Sequence, residues 1–594
     1  VTDGSLDSKS PPDGFRDRLD LFVASVLLLF LELACIRWFP AHVPYLSFFT
    51  NTVLLATFLG MSIGCLAAGS RRDCLLWTPI LLAIACGGAL WVESERGGLF
   101  QRIVIGDARN PEVVFFGAEH WEAAKGSWVP IELLLAVFFI AIALVMVGPG
   151  QELGRAFARV PGRLRAYSIN IGGSIAGIVL FGAFARLWLP PVAWFIVAAL
   201  LVTWLCLSRR LATPALRGLA LLPLAGVVLL SGQGTASSDT DTETFWSPYY
   251  RVDYSPKYGG VNVNMLGHQG MKSLEASDAQ CYALPHALER DSGAPPFDDV
   301  LVIGAGTGND LSRALQWGAK HVDAVEIDPV IASIARDHPN KPYADPRVQL
   351  HLDDGRSFLR TTDRKYDLIV FALVDSLILH SGYSNIRLES YLFTREAMED
   401  ARSRLKPDGV LVLYNYYRQG WIVARIKRQL EAAFGEPPLV FVFPHVDELT
   451  PDANGSFFAM ILSGATGRIR DGLVRAPYVA PLDVPMTPTG PNGYGPKSSG
   501  TWTRVRPARV PVPRDLDEAT DDWPFLYVRS RGIPAQTWRG MLIVAAIATF
   551  MLVPRLRGSG GGLDMRMFFL GAGFMLVETK AVVHMALLFG STWM

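Results

Sequence analysis

The sequence predicts a chain of two parts: an α-helical transmembrane bundle, and a soluble α/β domain on a doubly wound parallel sheet preceded by a small β-hairpin domain. Three observations predict it. Only 19% of the 594 residues are charged, against about 25% in an ordinary soluble domain, and the mean hydropathy is +0.26. Apolar stretches near the ~20 residues that cross a bilayer crowd residues 1–235 and recur after 536. Between them the composition is that of a soluble protein, and a short apolar run, a glycine turn and a helical pattern follow one another there. Lys+Arg and Asp+Glu both number 55, so the chain lacks the basic footprint that neutralises phosphates. Nucleic acid is therefore not an expected partner.

The apolar stretches fall at 19–36, 48–69, 75–92, 130–148, 167–189, 191–208 and 215–231, then at 538–553 and 566–590. Residues 1–18 are polar and Asp-containing, and no small-residue cleavage site follows the first apolar run, so that run reads as a retained helix. Gly172, Gly173, Gly177 and Asn170 in the fifth stretch fit close helix packing. Ionisable residues inside a bilayer are costly, which singles out Glu32 and Arg37 in the first stretch and Glu578, Lys580 and His584 in the last. They read either as charges that neutralise one another between helices or as a polar pocket for an amine or a lipid headgroup. The chain stops at Met594 directly after an apolar stretch, which reads as a truncation. The expected division is 1–235 for the first helices, 236–275 for a β-rich lead-in, 276–475 for the α/β domain, 476–535 for a Pro/Gly-rich linker or lid, and 536–594 for the last helices.

In the soluble part, Val300 to Gly304 is an apolar run of the buried parallel-strand type. A turn with Gly304, Gly306 and Gly308 follows, then a helical pattern through Leu311, Ala314 and Leu315. Glycines let a ligand approach the backbone while the helix N-terminus offers free N–H groups. A second strand ends at Glu326, about 20 residues beyond the first glycine, where a carboxylate accepts ribose hydroxyls. The third strand is Val348–Leu352, ending in Asp353-Asp354-Gly355, and Asp354 is placed to meet an adenine amino group. Tyr366–Phe371 is the fourth, and the turn Leu405–Gly409 leads into the fifth, Val410–Tyr414. Helical patterns between the strands make a doubly wound, Rossmann-like sheet the natural architecture. The dinucleotide fingerprint needs a third glycine where this chain has Asn309. The GxGxG form resembles instead the first motif of class I S-adenosylmethionine-dependent transferases, a methyltransferase-like fold.

Residues 246–465 resemble the spermidine synthase family, the polyamine aminopropyltransferases. The matching segments are GAGTG, VEIDP, DPRVQLHLDDGRSFL, YDLIV and LFTREAMEDARSRLKPDGVLVL. The alternation Val261, Val263, Met265, followed by Gly267-His268-Gln269, resembles the hairpin domain that precedes that fold. With its flanking helices the chain is similar to the multi-pass, membrane-embedded spermidine-synthase-like proteins of bacteria, through FLELACIRW, WSPYYRV, ALVDSLILHSGYSNIRLESYLFT, DDWPFLY and GFMLVETK. The resemblance implies that S-adenosylmethionine or its decarboxylated form is bound by Gln269, Gly304, Gly306, Gly308, Glu326 and Asp354, with no metal. It implies an aminopropyl or methyl transfer to a small amine or membrane-associated lipid acceptor, and it allows a homodimer. Of the family's two aspartates after the fourth strand, the first falls at Ala372 and the second at Asp375. Asp375 is then the surviving acid, as base or as amine anchor, and His380 is the other proton carrier nearby. Tyr282 is a further candidate for the acceptor.

The expected location is the inner membrane, with the soluble domain in the cytoplasm where the donor argument puts it. Counting Lys and Arg in the short turns 71–72, 155–165, 209–217 and 555–557 puts it on the other side. Six cysteines show no CxxC pair and no metal-ligand spacing, and read as small buried residues. The alternative to an enzyme is a transporter or sensor whose altered nucleoside domain is regulatory.

Overall fold

The computed structural model describes residues 14–43, 46, 51–94, 103–104, 129–209, 213–232, 241–275, 282–373, 389–454, 457–475, 478–479, 503–504, 506–558 and 565–589. They fall into two compact units.

The first unit is helical: α1 (Gly14–His42), α2 (Asn51–Leu66), α3 (Thr78–Ser94), α4 (Ile131–Arg159), α5 (Arg163–Arg186), α6 (Pro191–Ser208) and α7 (Pro214–Ser231), with most of the later helix Ala535–Gly558. Among the described residues seven helices are long and apolar enough to cross a bilayer by length and composition: α1, Cys74–Ser94 containing α3, α4 to α7, and 537–554. α2, with 16 residues, is shorter than the stretch the sequence offers. α1 packs on α5 as its small residues predict, since a Cβ on Gly173 would stand 2.7 Å from the Phe22 carbonyl oxygen and one on Gly177 2.8 Å from that of Val26.

Several ionisable groups among the described residues of this unit meet named partners. Glu32 accepts a hydrogen bond from Thr57 Oγ1 at 3.1 Å, and the Arg37 guanidinium lies over the Trp194 ring at 5.1 Å. His42 and Glu93, both buried, meet at 2.5 Å. Glu152 is contacted by Arg159 at 2.8 Å and Arg209 at 3.2 Å. The helix Met565–Phe589 groups with the second unit; Glu578 and Lys580 are exposed on it, and the side chain of His584 lies outside the described residues.

The second unit begins with a four-stranded antiparallel sheet, β1 (Glu243–Trp246), β2 (Arg251–Ser255), β3 (Gly260–Val263) and β4 (Leu266–Gly270), in sequence order. Alternate residues Val252, Tyr254, Val261 and Val263 point to one buried face, as a period of two requires. Then come α8 (Leu284–Ser292), β5 (Asp299–Ile303), α9 (Asn309–Gln316), β6 (His321–Glu326), α10 (Pro329–Ile334), β7 (Val348–Leu352), α11 (Gly355–Thr361), β8 (Tyr366–Ala372), α12 (Arg395–Ser403), β9 (Leu405–Asn415), α13 (Gly420–Phe434), β10 (Leu439–Phe443), β11 (Phe458–Gly464) and α14 (Gly467–Arg475).

The large sheet has the order β10-β11-β9-β8-β5-β6-β7. The five strands from β5 to β9 are parallel, and β11 runs antiparallel to both β9 and β10. The five parallel strands are those the sequence shows; the apolar runs of β10 and β11 add an edge that periodicity alone does not separate from buried helix. The Lys-Pro-Asp-Gly turn is absorbed into β9, with a register shift against β8 between Tyr366 and Leu368. Both faces of the sheet are covered: Leu301, Ile303, Ile369 and Leu411 pack toward α11 to α13, while Val300, Val302, Leu368 and Val412 pack toward α8 and α9.

The segment read as a linker is partly core. Ala508, Val510, Leu516 and Leu526 are buried in the first of those clusters, and α13 holds the strap through its cations. Arg425, fully buried, donates to the carbonyls of Asp517 (2.7 Å), Leu526 (2.5 Å), Val528 (2.7 Å) and Arg529 (2.8 Å), and its guanidinium lies between Trp421 and Trp523 at 4.9 and 5.2 Å. The side-chain amide of Gln429 donates to Phe393 and Ala519 carbonyls. Arg425→Ala leaves several buried carbonyls without a donor, so it is expected to destabilise the domain by about 3 kcal/mol or more. Arg425→Lys rescues little, because an ammonium lacks the fork. Urea unfolding with tryptophan fluorescence checks both.

Candidate functional site

The order of the sheet creates a switch point. From β5 the chain winds outward through β6 and β7, then returns to place β8 on the other side of β5, and ligands of such sheets bind at the carboxyl ends of the strands beside that reversal. A cleft lies there, lined by the glycine turn after β5, the ends of β6, β7 and β8, Tyr414 of β9, and Tyr250, His268, Gln269 and Tyr282.

The glycine turn has the geometry its residues were chosen for. Gly304, Gly306 and Gly308 have φ of 73°, 55° and 105°, a region open to glycine and strained for other residues. Gln269 lies directly over Gly306: a Cβ there would come 3.1 Å from the Gln269 side-chain carbon. Gln269 Oε1 accepts from the Thr307 backbone N–H (3.2 Å) and hydroxyl (3.3 Å), while its Nε2 is buried without a hydrogen-bond partner in the described structure. Asn309, which stands where the dinucleotide fingerprint has glycine, staples the turn to its surroundings. Its Oδ1 accepts from the Lys272 N–H (2.9 Å) and meets His338 Nε2 (3.0 Å), and its Nδ2 donates to the Gly270 carbonyl (3.0 Å).

Glu326 is 6% exposed and ties the turn to β6. One carboxylate oxygen accepts from the Gly306 N–H at 2.8 Å and the other from the Asp328 N–H at 2.9 Å. A carboxylate has about four acceptor sites, so capacity to accept from a ligand hydroxyl remains. Burial pushes its carboxyl up to about 7. Asp354, 4% exposed, caps α11 by accepting from the Ser357 N–H at 2.8 Å while lining the cleft, and burial raises it to about 6. Asp353 lines the cleft beside it. Asp328 caps α10 and accepts from the Ser247 hydroxyl at 2.5 Å, fastening the lead-in sheet.

All six residues expected to hold the nucleoside, Gln269, Gly304, Gly306, Gly308, Glu326 and Asp354, thus lie at or beside one cleft. Asp375 and His380 lie outside the described residues; the described chain leads toward them through Ala372 and Leu373, both on the cleft wall, with Leu373 at a φ of 42°. Tyr282 lies in the cleft, edge-on to Tyr414 at 6.0 Å. Sequence reasoning missed Asp310 and Tyr414. Asp310, 9% exposed, receives the Tyr414 hydroxyl at 2.7 Å from each carboxylate oxygen, and burial raises it to about 7. An acid in the first turn of a helix is ordinary, and a strand tyrosine is ordinary too. Their meeting, 104 residues apart, leaves no local signal.

Among the described residues lining the cleft are five carboxyl side chains, Asp310, Glu326, Asp328, Asp353 and Asp354, and no lysine or arginine. Fold and cleft together give a Rossmann-like α/β domain with a carboxyl-rich cleft at the switch point of its sheet. Residues 292–444 match the Spermine/spermidine synthase domain family. The chain is 32% identical over 151 residues to the polyamine aminopropyltransferase of Clostridium perfringens, covering 24% of this chain and 49% of that one. It is 31% identical over 207 residues to polyamine aminopropyltransferase 2 of Pseudomonas aeruginosa, covering 31% and 56%. The chain thus spans about half the length of the curated relatives it matches. Among solved structures, spermidine synthase from Thermotoga maritima aligns at 14% identity and a TM-score of 0.30, over 51% of this chain and 87% of that one. Human methyltransferase-like protein 13 in complex with SAH aligns at 21% and 0.25, over 36% and 93%. In sequence, the α/β domain is thus similar to the spermidine synthase domain.

A hydroxyl donates better to an ionised carboxylate than to a protonated one, so with Glu326 as the expected ribose acceptor, binding of 5′-methylthioadenosine is expected to weaken as pH falls below about 7, the side on which this carboxyl is protonated. Glu326→Gln is expected to lower affinity at about pH 8 by roughly tenfold or more and to flatten that pH dependence. Calorimetric titration between about pH 6 and 8 reads both.

Proposed function

We propose that the chain is a membrane-embedded transferase of the aminopropyltransferase type, with decarboxylated S-adenosylmethionine as donor and an amine or a membrane-associated molecule as acceptor. The observation that carries this is the charge of the cleft: five carboxyl groups line it and, among the described residues, no lysine or arginine does. S-adenosylmethionine brings an α-carboxylate into that surrounding, whereas the decarboxylated donor brings only a sulfonium and an ammonium. Two like charges at about 4 Å repel by ~4 kcal/mol at an effective dielectric near 20, and the part that survives where burial leaves a cleft carboxyl partly protonated near pH 7 still opposes the α-carboxylate. The cleft therefore favours the donor without a carboxylate.

In the transfer, the acceptor nitrogen's lone pair attacks the methylene carbon beside the sulfonium. The N–C bond forms, the C–S bond breaks, and its electron pair stays on sulfur as neutral 5′-methylthioadenosine leaves. The product ammonium gives up a proton to a base. The cleft's share is proximity and stabilisation of the cationic donor; Asp375 takes the base or amine-anchor role and His380 assists. The long apolar helices support insertion in the inner membrane and an acceptor that partitions there. The α/β domain belongs on the cytoplasmic side in this reading.

Purified protein in detergent, offered aminopropyl-labelled decarboxylated donor or methyl-labelled S-adenosylmethionine with polyamines or lipid extract, is expected to move label only from the first. Methyl transfer, or binding without turnover in every combination, contradicts the reading. Asp375→Asn is expected to abolish transfer while nucleoside affinity stays within about twofold.

A further inference from the structure

The two halves of the cleft differ. Glu326 and Asp354 stand at the ends of β6 and β7, on one side of the glycine turn. Asp310 and Tyr414 lie toward β8 and β9, on the other. A nucleoside whose ribose meets Glu326 and whose base meets Asp354 must send its 5′ tail toward β8 and β9. At that end Ala372 offers no charge, and its register partner on β9 is Tyr414, which holds Asp310 by both carboxylate oxygens.

We propose that Asp310, held by Tyr414, binds the terminal ammonium of the donor's aminopropyl tail and so selects the donor. The proposal rests on reading the cleft as the donor site. An Asp serving only the dipole of α9 would gain most of that benefit at the surface, yet Asp310 is 9% exposed and lines the cleft. Burying a carboxylate is costly unless it is paired. The described cleft lining supplies no lysine or arginine to pair it, and the phenol of Tyr414 is a neutral donor. A ligand ammonium supplies the opposite charge, and Tyr282, packed edge-on against Tyr414, walls the same end.

The test uses the full chain in detergent and two thioethers with uncharged sulfur that differ by one ammonium, 5′-(3-aminopropyl)thioadenosine and 5′-propylthioadenosine, titrated by calorimetry. The wild type is expected to bind the amine at least about tenfold more tightly. Asp310→Asn is expected to bring the ratio to within about twofold of unity with the propyl compound bound as before, and that unchanged affinity reports an intact nucleoside half. Tyr414→Phe, which keeps the carboxyl and removes its holder, reports independently and is expected to give a reduced ratio at unchanged propyl affinity. A ratio unchanged in Asp310→Asn or in Tyr414→Phe overturns the proposal, as does a wild type that binds the propyl compound without preferring the amine; the donor-site reading survives each of these. A wild type that binds neither compound overturns that reading and the proposal with it.

Discussion

Buried carboxylates fixed by hydrogen bonds from backbone N–H groups and hydroxyls are the constraint around which the cleft of the α/β domain is arranged. Glu326 is held by two backbone N–H groups, Asp354 by the N-terminus of α11, Asp328 by the N-terminus of α10 and a serine hydroxyl, and Asp310 by a tyrosine. In each case the hydrogen bonds named come from backbone N–H groups or hydroxyls. Dipoles fix a carboxylate without cancelling its charge, so the cleft remains a place where positive charge is stabilised. Glycine turn, helix N-termini and hairpin sheet all converge on that edge because each supplies one of the holding donors.

Cations do appear in quantity elsewhere in the same domain, where they organise structure. Arg425 gathers five carbonyls of the strap, Arg356 meets Asp400 at 2.8 Å and Asp521 at 3.3 Å, and Lys406 bridges Asp299 and Asp367 at 2.5 and 2.9 Å. The strap is a part of the fold that composition hides. Pro and Gly mark 476–514 as irregular, but irregular backbone is compatible with burial when side chains such as Arg425 and Gln429 satisfy its carbonyls. Pro and Gly there predict little regular structure, which is a different property from being loose.

Much of the site was legible because its signals are local. A strand, a turn needing positive φ and a helix occupy adjacent residues, and Glu326 and Asp354 each end a strand that periodicity reveals. Asn309 was legible as a departure from the dinucleotide pattern, though its role as a staple between the turn, Gly270 and His338 emerges only from the fold. Contacts made at long range were not legible. Tyr414 reaches Asp310 across the sheet, and His42 meets Glu93 across 51 residues, with nothing near either residue to announce the partner. In the helical unit the apolar stretches gave the helices and the glycines of α5 gave a packing face. The ionisable residues there had two open readings, and the ring and hydrogen-bond contacts of Arg37 and Glu32 now give each of them a place in the packing.

The central claim is that the cleft is built for a donor bearing positive charge and no carboxylate. The most direct measurement is the affinity of the full-length protein for decarboxylated S-adenosylmethionine and for S-adenosylmethionine, compared by calorimetry at the same pH and ionic strength. The account predicts that the decarboxylated compound binds more tightly by at least about tenfold. Equal affinities, or tighter binding of S-adenosylmethionine, would contradict it.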